Sequence, residues 1–374
     1  MVNIRTSRSW IEVDLDAITH NLDELSSLLN KNSSLMVVVK AEGYGHGLVE
    51  VAKHCQKMGI EAFAVATIDE GIKLREHGIY GEILVLGYSH PIRAIELHNY
   101  RLIQTIVNRE HARQLNESGH MINVHIKIDT GMHRLGFDLS DYESIKEIYD
   151  YQFIHIQGYF THLCVCKRKV DQEYTQKQIA AFYDLINELK LRHYDIGKVH
   201  LQSSYGLVNY PEINADYARV GILMYGVYST FNDYSKVQLD LKPALTIKAQ
   251  IAMLHYLTKG ASLGYGLTYK VNRDSVIAVI PIGYGDGLPR ILSSNGSVLI
   301  KGQKCPIVGR ICMDQMLVDV SEISDISDND LVTVIGQDGT EEIRVEEIAL
   351  EANTISNEIL SRLGSRLPRI YRGG

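Results

Sequence analysis

The chain has 374 residues, 45% of them hydrophobic and 22% charged, with a formal net charge of -7 from 38 Lys+Arg against 45 Asp+Glu. That balance excludes disordered and fibrous chains and leaves no basic footprint for nucleic acid. Its apolar runs fall far short of the ~20 residues that span a bilayer, and no basic-then-apolar leader precedes Trp10, so a soluble, cytoplasmic protein of about two domains is expected.

In chain order, residues 10–15 alternate like a strand but precede any strand–helix unit, and are expected to join the sheet of a second domain. Eight apolar, β-branched runs follow, at 35–39, 62–66, 83–86, 102–107, 124–128, 154–160, 199–201 and 220–224. Helical patterns separate them; residues 174–192 place Ile179, Phe182, Ile186 and Leu189 at helical spacing. Buried strands alternating with helices imply a parallel sheet, and eight units over about 200 residues point to a (β/α)8 TIM barrel. An open doubly wound sheet competes but lacks a GxGxxG at its first unit.

After about Ser229 the pattern changes to strands at 246–257, 275–282, 297–300, 307–320 and 331–335, with turn signals at Asn295-Gly296 and Gln337-Asp338-Gly339 and one helical pattern at 345–363. The polar segment 232–236 marks a linker. The expected division is a barrel over 12–235 and a C-terminal mainly β domain over 236–374 together with 1–11. The five cysteines are scattered without a CxxC, which favours reduced thiols over disulfides and gives no metal site.

Lys40 ends the first run and opens a glycine-rich turn, Ala41-Glu42-Gly43-Tyr44-Gly45-His46-Gly47. In a (β/α)8 barrel the carboxyl ends of the strands face the active site. A lysine there, beside apolar neighbours, shifts toward the neutral amine that attacks an aldehyde. A solvated strand-end charge is the other reading.

Segment 37–47 resembles the pyridoxal-phosphate lysine motif of alanine racemases, and the resemblance extends over nearly the whole chain. Segment 127–136 is similar to the family's stretch bearing the substrate-carboxylate arginine, and 219–226 to the strand-eight stretch whose arginine faces the cofactor ring. Segments 264–266, 282–287, 309–315 and 366–369 resemble signatures of the second domain. This implies pyridoxal 5'-phosphate held by Lys40, and amino-acid racemisation with one proton carrier on each face, Lys40 and Tyr265. A phenol of pKa ~10 is a poor base at neutral pH, and the family supplies cationic neighbours, which His162 and Arg219 match. Arg219 can only donate to the ring nitrogen, leaving it unprotonated, which suits reprotonation over transamination. In an isolated sequence Arg219 would read as a strand-end salt bridge.

The same resemblance assigns Tyr44, Ser204, Gly221 and Ile222 to the cofactor phosphate. It assigns Arg134 and the Met313 backbone to the substrate carboxylate, and the region of Tyr284 to substrate-side contacts. Lys127, often carbamylated in the family, would orient Arg134. Tyr265 and Met313 act across the subunit interface in the family, which implies a head-to-tail homodimer.

Several positions depart from the usual pattern: Ser203 stands where asparagine is common, Cys164 and Cys166 follow His162, and Gly285 replaces an alanine. The most informative is Asn357, where alanine racemases ordinarily carry a tyrosine. An amide frees space for a hydroxymethyl group and can hydrogen-bond its hydroxyl; a polar helix-end residue is the bland reading. The substitution resembles vancomycin-resistance serine racemases, so serine is an expected substrate beside alanine, with D-amino acids destined for peptidoglycan precursors. Those enzymes carry a membrane-embedded amino-terminal domain that this chain lacks, which would place a longer native protein at the cytoplasmic face of the membrane. The alternatives are a dedicated alanine racemase, a non-catalytic cofactor-binding barrel and a decarboxylase of related fold. Arg369 and Arg372, near the end, are read as structural.

Overall fold

A computed structural model describes residues 7–374. Eight parallel strands form the first unit: Ser34–Val38, Ala62–Val65, Glu82–Val85, Ile103–Ile106, Ile122–Asp129, Ile154–Phe160, Lys198–His200 and Tyr217–Val220. The eighth pairs back onto the first, with Arg219 opposite Met36. Between the seventh and eighth the ring is held by Asp216 N–H to Val199 O at 2.8 Å and Arg219 N–H to Gln202 O at 3.1 Å. The result is the expected (β/α)8 barrel, nearly closed. Its eighth strand starts before the run at 220–224, because Gly221 breaks the extended backbone and Ile222–Tyr225 winds into a 3-10 turn.

Alternation along the strands sorts their side chains. Met36, Val38, Ala62, Ala64, Leu84, Ile103 and Tyr217 form one apolar cluster inside the ring. Val37, Phe63, Val65, Ile83 and Val85, one residue out of phase, pack against the surrounding helices. Among those helices is Gln172–Leu191, which buries Phe182, Leu185, Ile186 and Leu189.

The second unit is mainly β, as expected. Its larger sheet runs Gln303–Pro306, Ser297–Ile300, Leu331–Asp338, Leu245–Gln250, Ser9–Asp14, Arg369–Arg372. The opening strand therefore lies within this sheet, antiparallel to Leu245–Gln250 and parallel to Arg369–Arg372. The division expected at residue 12 falls inside it; residues 1–6 of that expectation lie outside the described residues. A three-stranded sheet (Met253–Leu257, Ser275–Ile280, Met316–Asp319) and a small hairpin (Ser262–Leu263 with Tyr269–Lys270) complete the unit.

Three expected elements divide. The run at 246–257 is two strands in different sheets, because Ile251 N–H turns to Asp330 O and Ala252 N–H to Val279 O. Of 307–320, only Met316–Asp319 is a strand; Gly309 takes a left-handed φ of 70° ahead of it. The helical pattern at 345–363 is two helices, Val345–Glu351 and Ser356–Ser361, broken where Asn353 adopts φ 52°. Among the described residues, no helix is long and apolar enough to cross a membrane.

Candidate active site

The inward parity of Met36 and Val38 continues to Lys40, just past the end of the first strand. On the fifth strand His125 and Lys127 are buried out of phase with the outward-packed Val124, Ile126 and Ile128. On the eighth, Arg219 follows Tyr217. These residues meet at the carboxyl ends of the strands, where a cavity of about 570 Å3 opens. Lys40, Tyr44, Lys127, Arg134, His162, Ser204, Arg219, Gly221, Ile222 and Asn357 all line it.

The charge of this cavity is one-sided. Lys40, Lys127, Arg134, Lys167 and Arg219 line it, and no carboxylate does among the described residues. Burial, reinforced by Arg134 and Arg219 and opposed by Glu70, holds the Lys40 amine below the usual lysine range. Lys127 is pulled down further, to about 7, by burial and then by Arg219 and Arg134. Among the described residues its Nζ meets the Ile128 carbonyl at 3.4 Å and the Phe160 ring, centred 5.0 Å away. Burial, with Arg134 nearby, lowers Arg219 to about 9, which leaves it cationic at neutral pH.

Arg219 is gripped by neutral acceptors. Its Nη1 donates to His200 Nδ1 at 2.6 Å, and Nη2 to Thr161 O at 2.8 Å and His162 Nδ1 at 3.3 Å. A guanidinium only donates, so both imidazoles accept through Nδ1 and carry their proton on Nε2. His200 Nε2–H then reaches His125 Nδ1 at 2.8 Å. His162 is held well below its ordinary pKa by burial and by Arg219, Lys127, Arg134 and Lys40. Burial first, and then its basic neighbours, thus favour a neutral His162 over the cation expected from the sequence.

Also lining the cavity, Ser204 Oγ accepts the Gly221 N–H at 2.8 Å. A Cβ on Gly221 would stand 3.0 Å from Tyr44 Oη, so this hydroxyl is adjacent too. Burial raises the Tyr44 phenol to about 12 and keeps it a neutral donor. Asn357 Oδ1 is buried and finds no hydrogen-bond partner among the described residues.

Tyr265, Tyr284 and Met313 do not line the cavity of their own chain. They are 69%, 40% and 52% exposed on the β domain. Tyr265 lies in the small hairpin, where Arg310 Nη1 would be 3.0 Å from a Cβ at Gly266. Tyr284 N–H bonds Cys312 O, and Gly285 N–H bonds Met313 O, which joins these residues into one surface. Of the late arginines, Arg366 pairs with Asp286 and Asp314, and Arg372 with Glu12. Arg369 donates to the carbonyls of Gly45, Leu363, Gly364 and Leu367.

His200, which accepts from Arg219, is not among the residues the sequence singles out. His200 stands at the end of the seventh strand, as Lys40 and Arg219 stand at strand ends, and that position was the available signal.

A parallel barrel with a depressed lysine amine and an unbalanced cationic rim, joined to a β domain, defines the barrel class of pyridoxal-phosphate enzymes. The residues fit that cofactor: its phosphate would offset the cations, and Lys40 offers the amine its aldehyde needs. Family comparison is specific. The alanine racemase N-terminal domain matches residues 13–229 and the C-terminal domain residues 244–371. The chain belongs to the alanine racemase family, whose members are pyridoxal-phosphate-dependent isomerases. It is 43% identical over 370 residues to an "Amino-acid racemase" of Enterococcus faecalis, covering 98% of this chain and 52% of that protein. It is 41% identical over 363 residues to a "Serine/alanine racemase" of Enterococcus gallinarum, covering 96% and 51%. The chain thus spans about half the length of these relatives. The solved alanine racemase of Clostridium difficile 630 superposes with a TM-score of 0.92 at 35% identity, over 98% of this chain and 96% of that one.

Proposed function

We propose that the chain interconverts the L and D forms of serine and alanine, using Lys40 and Tyr265 of the partner subunit as proton carriers on opposite faces of the substrate. Bound pyridoxal phosphate supplies the electron sink that makes the substrate Cα–H acidic. Lys40 contributes an amine already biased toward its neutral form, able to take or return the proton. Arg134 offers its guanidinium to the substrate carboxylate. Lys127, titrating near neutrality, is suited to carbamylation, which would turn a repelling cation beside Arg134 into an acceptor for it. Tyr44, Ser204 and the Gly221–Ile222 backbone would hold the phosphate. Arg219 would offer the cofactor a donor that keeps its proton, while His162, neutral, has its Nε2–H free to donate.

A second chain completes the site in this reading, in a head-to-tail homodimer. Tyr265, Tyr284 and Met313 stand exposed on the β domain, which suits residues that serve a neighbour's cavity. The barrel would cover residues 15–235 and the β domain the remainder with the opening strand. In a native protein longer than this chain, D-serine and D-alanine would be made for peptidoglycan precursors at the cytoplasmic face of the membrane.

The observation that carries the serine assignment is Asn357. A buried amide oxygen with no partner among the described residues costs free energy that a substrate O–H could recover. The aligned relative named "Serine/alanine racemase" supports the same reading. Steady-state rates on both amino acids test it. Serine is expected within tenfold of alanine in kcat/KM, and Asn357→Tyr is expected to lower serine relative to alanine by about tenfold or more. A wild-type serine kcat/KM a thousandfold below that of alanine, or an unchanged ratio in the variant, overturns the serine assignment in favour of a dedicated alanine racemase.

A further inference from the structure

The four residues after Lys40 wind the wrong way. Ala41, Glu42, Gly43 and Tyr44 take φ of 53°, 53°, 60° and 50°, a left-handed turn in which only one residue is glycine. L-residues disfavour that region because Cβ crowds the following carbonyl. Such a turn persists only where its surroundings hold it.

One neighbouring helix, Ile68–Glu76, grips the two non-glycine residues nearest Lys40. Glu70 Oε1 accepts the Ala41 N–H at 2.7 Å, while its Oε2 accepts Ala66 N–H at 2.6 Å and Thr67 N–H at 3.3 Å. A single carboxylate therefore ties the backbone beyond the first strand to that beyond the second. One turn along the helix, Lys73 Nζ pairs with Glu42 Oε1 at 2.5 Å. From the far side, His46 Nδ1 bonds the carbonyls of Gly43 at 3.1 Å and Tyr44 at 2.9 Å. Glu70 is half-buried and does not line the cavity.

We infer that Glu70 is a positioning residue for Lys40: its carboxylate locks the left-handed turn against the second strand and sets a negative charge beside the base of the lysine. Beside burial, Arg134 and Arg219 lower the amine's pKa and Glu70 raises it; Glu42, two residues on, is paired with Lys73, and Lys127 lines the same cavity. His162, which also senses Lys40, is neutral. Removing the charge of Glu70 leaves the lowering by the two guanidiniums, and the amine loses its proton at lower pH. Removing its hydrogen bonds lets the turn relax, and the amine loses its fixed direction. The inference rests on Lys40 being the cofactor lysine.

The test follows capture of pyridoxal phosphate by the cofactor-free full chain, read as the absorbance of the lysine-bound cofactor across pH. Wild type, Glu70→Gln, Glu70→Asp and the pair Glu70→Gln/Ala41→Gly are compared, with folding followed by circular dichroism. Glu70→Gln is expected to move the midpoint of the pH–rate curve down by about half a unit or more, since a nearby opposite charge raises a lysine pKa on this scale. It should also lower the plateau rate severalfold. Glu70→Asp, which keeps the charge, is expected to hold the wild-type midpoint. Ala41→Gly, which removes the steric objection to the turn, should restore thermal stability and much of the plateau but not the midpoint; it also serves if Glu70→Gln alone folds poorly. A midpoint in both charge-free variants equal to or above wild type overturns the inference. A wild-type chain that never develops the absorbance overturns instead the assignment of Lys40 as the cofactor lysine.

Discussion

Lys127→Met tests the electrostatics of the cavity most directly. The amine titrates at about 7 in the folded chain against an ordinary 10.5, chiefly because it is buried without a carboxylate partner. The folded state thus binds fewer protons than the unfolded one between those two values, and wild-type stability rises with pH across that window. At roughly 1.36 kcal/mol per unit, the penalty on folding is about 4 kcal/mol at pH 7, nearly constant below that, and below about 1 kcal/mol by pH 10. Methionine fills similar space without a charge, so the variant should be more stable than wild type by up to about 4 kcal/mol at pH 7, with the gain fading toward pH 10. Urea unfolding of the cofactor-free chain at both pH values, in bicarbonate-free buffer, measures the difference. A variant less stable than wild type at pH 7, or a gain that does not shrink with pH, refutes the account of Lys127 as an unpaired buried cation. The same variant should lose racemase activity, because stability and function draw on this residue in opposite directions.

Further expectations follow from the same geometry. If Tyr265 serves a neighbour's cavity, mixing Lys40→Ala chains with Tyr265→Ala chains, each inactive alone, restores activity through mixed dimers; a mixture as inactive as its parts places both residues in one chain. His200→Leu removes the acceptor of Arg219 Nη1 and is expected to cost about 1–3 kcal/mol in thermal or urea unfolding; an unchanged melt refutes the pairing. Gly45→Ala would set a Cβ 2.4 Å from the Leu360 carbonyl at φ 80°. The backbone conformation alone costs about 1–2 kcal/mol, and the overlap adds to it, so a lowered melting temperature is expected and a wild-type melt contradicts the described packing.

Much of this arrangement can be read from strand parity. Because alternate residues of a barrel strand point inward, Met36, Val38 and Lys40 belong to one series, as do Tyr217 and Arg219. Asn357 is legible only through family resemblance, since nothing in its local pattern separates a cavity wall from a helix end. What sequence hides is set by distance in space. His162 reads as a candidate cation until burial among Lys40, Lys127, Arg134 and Arg219 is known. The transfer at Ile251-Ala252 depends on Asp330 and Val279, both remote in the chain. Glu70 left a partial mark, as the last residue of a Thr67-x-x-Glu70 capping box. That signal explains how its helix begins and says nothing of Ala41.

The opening strand has a consequence for how the molecule comes to be built. Ser9 pairs with Ala249 and Ile11 with Arg369, so a strand made before the barrel finds its neighbours only among segments made after it. During synthesis its two hydrogen-bonding edges must wait while the barrel assembles beside it. Trp10, Ile11 and Val13, all buried in the finished molecule, would meanwhile stay open to solvent or to a holding chaperone. Insertion between Leu245–Gln250 and Arg369–Arg372 thus comes after the barrel is made, and damage to Arg369–Arg372 would be felt first in Ser9–Asp14, its remote partner.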